Sequence, residues 1–229
     1  MPSILITGAN RGLGLEFTKQ YAASGYRVFA TARQPSTAKE LAQLAKANAS
    51  ISVHPLEVSD DASVHALARE LAAEPLDILL SNAGVMGPKQ QSLGNFDYAG
   101  MLETFNVNSI APLRLAEVFL GNVLKGQRKL IAAITSGMGS IADSGGGSYA
   151  YRASKAALNM SYHNLAIDLK DRKVIAVVIN PGWVQTDMGG GAAPVTPSAS
   201  ISAMRKVFDG LTLADSGKFL DFKGGTWEW

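Results

Sequence analysis

The chain has 229 residues, no cysteine, 17% charged and 47% apolar residues, and a formal net charge of +2. A core of that size needs no covalent staples, and the missing cysteine excludes a disulfide scaffold, a thiol nucleophile and any thiolate metal site. His54, His65 and His163 lie in separate segments without ligand spacing, and no Lys/Arg block offers a nucleic-acid or membrane surface.

Met1-Pro2-Ser3 runs directly into Ile4-Leu5-Ile6. The basic region, long apolar stretch and cleavage site of a secretory signal are missing. Wholly apolar runs are only a few residues long, too short to span a bilayer. The expectation is a soluble cytoplasmic protein with neither membrane nor nucleic acid as partner.

Short runs rich in Val, Ile and Leu predict strands at Ser3–Thr7, Arg27–Ala32, Ile51–Leu56, Asp77–Leu80, Leu130–Thr135 and Val174–Asn180, with a weaker one at Lys218–Phe222. Continuous apolar runs of this length fit strands buried on both faces. Helical patterns fall between them at 13–24, 37–48, 61–73, 98–124 and 149–171, with Ser59 or Asp60 as N-cap of the third. Strands alternating with helices imply one α/β domain over 1–229, a mostly parallel sheet covered on both sides. Met188–Ser200 is rich in Gly, Ala, Pro and Ser and reads as a mobile loop near the substrate.

The first strand leads into Thr7-Gly8-Ala9-Asn10-Arg11-Gly12-Leu13-Gly14. Glycines there let the backbone approach a pyrophosphate, and the following helix offers free N–H groups and the positive end of its dipole. A purely structural turn is the alternative. The second strand carries no acid for a ribose 2′-hydroxyl and ends in Arg33, with Arg11 in the first turn. Two guanidinium groups suit a 2′-phosphate, which predicts NADP(H) over NAD(H); two solvated surface arginines would look the same.

Tyr151 and Lys155 are four residues apart and share one helix face. A phenol is a poor acid or base at neutral pH unless perturbed, and a nearby ammonium favours its ionised form. Tyr149 has no such partner, because the residue four places on is Ala153. Ser136 closes the fifth strand, at the sheet end where ligands bind in open α/β folds. It lacks a Gly-x-Ser-x-Gly setting, so a hydrolase reading is weak. Pro112 sits four residues after Asn108, removes the donor to the Asn108 carbonyl and predicts a kink, with either a water site or mere packing as its result.

Thr7–Gly14, Asn82-Ala83-Gly84, Asn108, Ser136, Tyr151-x-x-x-Lys155 and Pro181-Gly182-Trp183-Val184-Gln185-Thr186 together resemble the short-chain dehydrogenase/reductase family. Arg11, Gly145–Tyr151 and the late Gly-Gly-Thr-Trp are most like its C-factor/sniffer-type carbonyl reductase branch. The resemblance implies a Rossmann-type sheet in the order 3-2-1-4-5-6-7 and a nicotinamide cofactor. It implies catalysis by Tyr151 as proton donor, Ser136 on the substrate carbonyl, Lys155 on the ribose and on the Tyr151 pKa, and Asn108 in a proton relay. It further implies cofactor contacts from Gly8, Asn10, Arg11, Gly12, Leu13, Gly14, Arg33, Glu57, Val58, Asn82, Ala83, Gly84, Tyr151, Lys155, Pro181, Gly182, Val184 and Thr186. The expected activity is NADPH-dependent reduction of a small ketone or aldehyde, or the reverse alcohol oxidation. A non-catalytic NADP(H)-binding signalling or redox-sensing protein is the rival. A homodimer or homotetramer is expected. Ser81 replaces the usual first Asn before Asn-Ala-Gly, Glu57 stands where Asp is common, and the loop Gly137–Ala150 is slightly enlarged. Met138, Trp183 and Met188 are candidate pocket walls or core residues.

Overall fold

In the computed structural model, which describes residues 1–229, the predicted strands form one sheet. They are β1 (Ser3–Ile6), β2 (Arg27–Ala32), β3 (Ile51–Pro55), β4 (Ile78–Ser81), β7 (Leu130–Ile134), β8 (Ile175–Asn180) and β9 (Phe219–Asp221), in spatial order 3-2-1-4-7-8-9. Every pairing in this sheet is parallel, and counted by sheet strands alone the order is the expected 3-2-1-4-5-6-7. A small antiparallel pair, β5 (Gln91–Ser92) and β6 (Asn95–Phe96), was not foreseen; each strand is too short for a periodicity to register.

Period-2 alternation is concealed inside the apolar runs, because both faces are covered. Ile4, Ile6, Ile78, Leu80, Val177 and Ile179 point to one face, where they meet Phe17 and Tyr21 of α1 (Gly12–Ala23) and Ile201, Met204 and Phe208 of α8 (Pro197–Gly210). Leu5, Leu79, Ile131 and Val178 point to the other, against α3 (Asp61–Glu70), α5 (Ala111–Val118) and α7 (Tyr149–Asp168). The helix α2 (Lys39–Ala47) adds Leu41 to the first face. Asp60, one of the two expected caps, closes α3 by accepting from Ala62 N.

Two readings need correction. The single helix expected over 98–124 is α4 (Tyr98–Phe105), a π-helical turn (Asn106–Ile110), α5 and α6 (Leu120–Lys125). Pro112 cannot donate, and just before it the ladder widens so that Ala111 N–H reaches back to Asn106 O. The loop expected over 188–200 ends at Thr196. Thr196 accepts from Ala199 N, Pro197 occupies the first turn, and Ile201, Met204 and Phe208 form the buried stripe of α8. That start signal is legible in Thr196-Pro197, but Ser- and Ala-rich composition masks it. The preceding segment is tied back by a parallel bridge between Val184 and Val195 and by Gln185 Nε2 to Ala193 O at 3.0 Å. No helix is long and apolar enough to cross a membrane.

Candidate active site

The parallel sheet puts the C-terminal ends of β1, β4, β7 and β8 side by side, and the loops leaving them form the site. Gly8 and Gly12 have φ of +66° and +54°, a region open to glycine at little steric cost. A Cβ on Gly14 would stand 2.2 Å from the Gly8 carbonyl oxygen, and one on Gly8 would stand 3.0 Å from Ala83 Cα. The turn therefore closes to backbone contact with the Asn82-Ala83-Gly84 loop. Thr7 Oγ1 accepts from both Asn82 N and Ala83 N at 3.0 Å, and Asn82 Nδ2 donates to Thr7 O at 2.8 Å. Arg11, at the N-cap of α1, makes no side-chain cap, so the first-turn N–H groups of Gly12, Leu13 and Gly14 have no capping side chain. A helix start of that kind, reached through a glycine cradle, fits a pyrophosphate. Asn10 and Arg11 are exposed beside it.

Both arginines face carboxylates. Arg11 pairs with Asp187 at 2.5 Å and Arg33 with Glu57 at 3.9 Å, all four side chains being substantially exposed. Exposed pairs of this kind contribute little stability, so a doubly charged phosphate can displace either partner. Glu57 also accepts from Ser59 Oγ at 2.8 Å, and buried Val58 lends its carbonyl to Arg114.

On the far side of the cleft, Gly182 has φ +81° and a Cβ there would meet the Phe222 ring at 2.8 Å. Pro181 O accepts from buried Ser200 Oγ, which fastens the end of β8 to α8. Val184 is buried, and Thr186 Oγ1 accepts from Gly189 N at 3.1 Å. The Thr186 methyl lies 3.6 Å from where a Gly12 Cβ would stand, so a side chain on Gly12 would reach across the cleft to this loop.

Ser136, Tyr151, Lys155 and Asn108 converge between these loops. The Tyr151 phenol faces the Ser136 side chain, and Ser136 Oγ accepts from Met138 N at 3.1 Å. Lys155 Nζ donates to Ile134 O at 2.8 Å and lies 5.9 Å from the Tyr151 ring centre. Asn108 Oδ1 accepts from Val85 N at 2.9 Å, while its Nδ2 donates to Val85 O at 2.8 Å and Ser154 Oγ at 3.0 Å. Asn108 Oδ1 and Lys155 Nζ lie 3.3 and 3.6 Å from where a Gly84 Cβ would stand. The Asn108 amide is thus spent on the loop after β4 and on α7.

Burial dominates the titration of this cluster. Desolvation pushes the Tyr151 phenol up, and the neighbouring Ser136 hydroxyl opposes it. The Lys155 ammonium stands 5.9 Å from the Tyr151 ring centre while donating to Ile134 O. Lys155 itself, buried with no acid among its partners, is lowered to about 8. The folded chain therefore releases this proton earlier than the unfolded one, so the stability penalty holds below about 8 and fades as pH rises toward the ordinary lysine value. The activity effect has the opposite sign, because the ammonium is lost on the alkaline side. We expect any activity that needs the Lys155 ammonium to fall with an apparent pKa near 8. A pH–rate profile that stays flat well above that value would separate Lys155 from the reaction.

Three contacts around the cluster carry no signal in sequence. Gln91, from β5, reaches Tyr151 N. Ser154, which bridges Asn108 and the Tyr151 carbonyl, looks like one more helix serine beside Lys155. Trp227 lays its ring where a Gly137 Cβ would be, 2.8 Å away, and Ala142 N donates to Trp229 O.

A family model described as short chain dehydrogenase matches residues 2–194. The chain belongs to the short-chain dehydrogenase/reductase family and is an NAD(P)-dependent oxidoreductase. Within it, the likeness is to the C-factor/sniffer branch. The chain is 42% identical over 167 residues to the C-signal of Myxococcus xanthus, covering 72% of this chain and 100% of that one. It is 32% identical over 237 residues to a 1-hydroxy-2-glutathionyl-2-methyl-3-butene dehydrogenase of Rhodococcus sp., covering 100% of both. Among solved structures, the carbonyl reductase Sniffer of D. melanogaster superposes with a TM-score of 0.93 at 32% identity over 100% of both chains. An NADPH-bound carbonyl reductase from chicken fatty liver gives 0.92 at 37% identity, over 100% of this chain and 99% of that one.

Proposed function

We propose that the chain is an NADPH-dependent carbonyl reductase, reversible as an alcohol dehydrogenase, acting on a small ketone or aldehyde. The observation that carries this is the Tyr151 phenol, buried, facing the Ser136 hydroxyl and one helical turn from the buried Lys155 ammonium. A bound nicotinamide dinucleotide supplies or accepts the hydride. Ser136 and Tyr151 hold the substrate oxygen, and Tyr151 delivers its proton as that oxygen gains charge. Burial keeps the phenol protonated at neutral pH but makes it a weaker acid, a cost that the nearby Lys155 ammonium offsets during proton transfer. Lys155 sets a positive potential beside the phenol and would hold the ribose, and Asn108 holds the Val85 loop and α7 in register. Gly8, Asn10, Gly12, Leu13 and Gly14 would hold the pyrophosphate, Glu57 and Val58 the adenine, Asn82, Ala83 and Gly84 the ribose side, and Pro181, Gly182, Val184 and Thr186 the carboxamide.

Arg11 and Arg33 would take the 2′-phosphate in place of Asp187 and Glu57. Arg33→Asp should weaken NADPH relative to NADH by about tenfold to a hundredfold, the scale of one charge-assisted hydrogen bond. An unchanged ratio of dissociation constants in a fluorescence titration would leave the preference without support. Exposed Leu102, Ile110, Leu113, Met160 and Ile167 support a homodimer or homotetramer.

The likeness to a C-signal favours one other reading, a signalling protein that binds NADP(H) without turnover. A panel of aldehydes, ketones and diketones followed by NADPH absorbance decides. Oxidation of NADPH by any of them supports the reductase; tight NADPH binding with no turnover across the panel supports the other.

A further inference from the structure

Helix α7 starts in an unusual way. Its N-cap, Ser148, sits in the left-handed region with φ 45° and makes no side-chain cap. The first intrahelical bond is Arg152 N to Ser148 O. The N–H groups of Tyr149, Ala150 and Tyr151 therefore have no partner within the helix. For Tyr151, a residue far back in the chain supplies one. Gln91 Oε1 accepts from Tyr151 N at 3.2 Å, and Gln91 Nε2 donates to Met86 O at 3.1 Å and Pro88 O at 2.8 Å. Gln91 is 8% exposed, and both ends of its amide are used. The Tyr151 carbonyl is held in turn by Ser154 Oγ at 2.8 Å, and Ser154 receives Asn108 Nδ2. The same loop is packed on the helix start: a Gly87 Cβ would lie 3.3 Å from Ala150 Cβ.

We propose that Gln91 is a positioning residue for Tyr151. It caps the helix turn that carries the phenol and ties it to the loop running on from Asn82-Ala83-Gly84, so the proton donor and one wall of the cofactor cleft move as one body. This rests on the reductase reading for its catalytic consequence, but not for its structural one. A side chain held to within a fraction of an ångström loses rate steeply when its support loosens.

The test uses Gln91→Leu and Gln91→Glu in the full chain. Glutamate keeps an acceptor for Tyr151 N–H and gives up the amide donors to the 86–88 loop; leucine gives up all three bonds. Gln91→Leu should lower kcat about tenfold or more, with NADPH affinity and KM within about twofold. Amide hydrogen exchange at Tyr151 should speed up about tenfold in Gln91→Leu and stay near the wild-type rate in Gln91→Glu. The proposal is overturned if Gln91→Leu leaves both the exchange rate and kcat within about twofold of wild type. It is equally overturned if the two variants lose kcat alike in step with a common fall in Tm, which is what bulk destabilisation would give. Should the wild type turn over no carbonyl at all, the reductase reading fails, while the exchange rates still decide whether Gln91 holds Tyr151.

Discussion

Tyr151→Phe should lose NADPH-dependent carbonyl reduction by about 10³-fold or more in kcat, with NADPH affinity unchanged within about threefold. The substitution is nearly pure. Tyr151 is 6% exposed, so the ring stays packed and only the hydroxyl goes. What is lost is the proton and one of two hydrogen bonds to the oxygen that becomes charged; the Ser136 hydroxyl remains. Each such bond has a scale of roughly 3 kcal/mol in the barrier, and removal of the acid adds to it. Stopped-flow or steady-state NADPH absorbance on purified protein measures the effect, and circular dichroism confirms the fold. Retained full activity would take Tyr151 out of the mechanism. Because burial raises the phenol, the variant's effect should be as large at pH 6 as at pH 7.5; a phenol titrating near neutrality would make it pH-dependent.

The second large effect is expected at Gly14. A methyl group there would stand 2.2 Å from Gly8 O and 2.6 Å from Asn82 Nδ2. Neither can retreat easily, since Gly8 is backbone and Asn82 is held by two carbonyls, Thr7 O and Gly8 O. Gly14→Ala should therefore cost about 1–3 kcal/mol in stability and pull the glycine turn off the Asn82 loop, with NADPH affinity falling at least about a hundredfold. Gly121→Ala is the matched control: the same added methyl, at an exposed position of α6, meets nothing within 4 Å, and should stabilise by about 0.5–1 kcal/mol. Denaturant unfolding and nicotinamide fluorescence read both variants. Equal behaviour of the two glycines would mean that the cradle tolerates a side chain and that its closeness has no part in binding.

The candidate site residues are legible because each leaves a local trace. Gly8, Gly12 and Gly14 mark a turn at the end of a strand. Tyr151 and Lys155 are spaced by one helical turn. Asn108 stands four residues before a proline that cannot complete its ladder. Gln91 leaves no such trace, because one member of the Gln90-Gln91 pair has the same sequence appearance whether it meets water or caps a helix sixty residues on. The backbone partner of Lys155 is hidden from sequence for a related reason. Spacing puts Lys155 on the face of Tyr151, but only packing reveals that its ammonium is drawn to Ile134 O.

Residue periodicity points to the parallel α/β sheet, and the family resemblance carried by the sequence motifs adds the cofactor class and the four side chains of the candidate site, since both rest on patterns written over a few residues. The tertiary structure decided what depends on distant segments meeting: the carboxylates facing Arg11 and Arg33, the π-helical turn at Asn106–Ile110, the Trp227 ring over Gly137, and the desolvation that sets the Tyr151 and Lys155 protons. Burial and cross-chain hydrogen bonds are properties of the packed volume around a group, and one-dimensional order does not contain that volume.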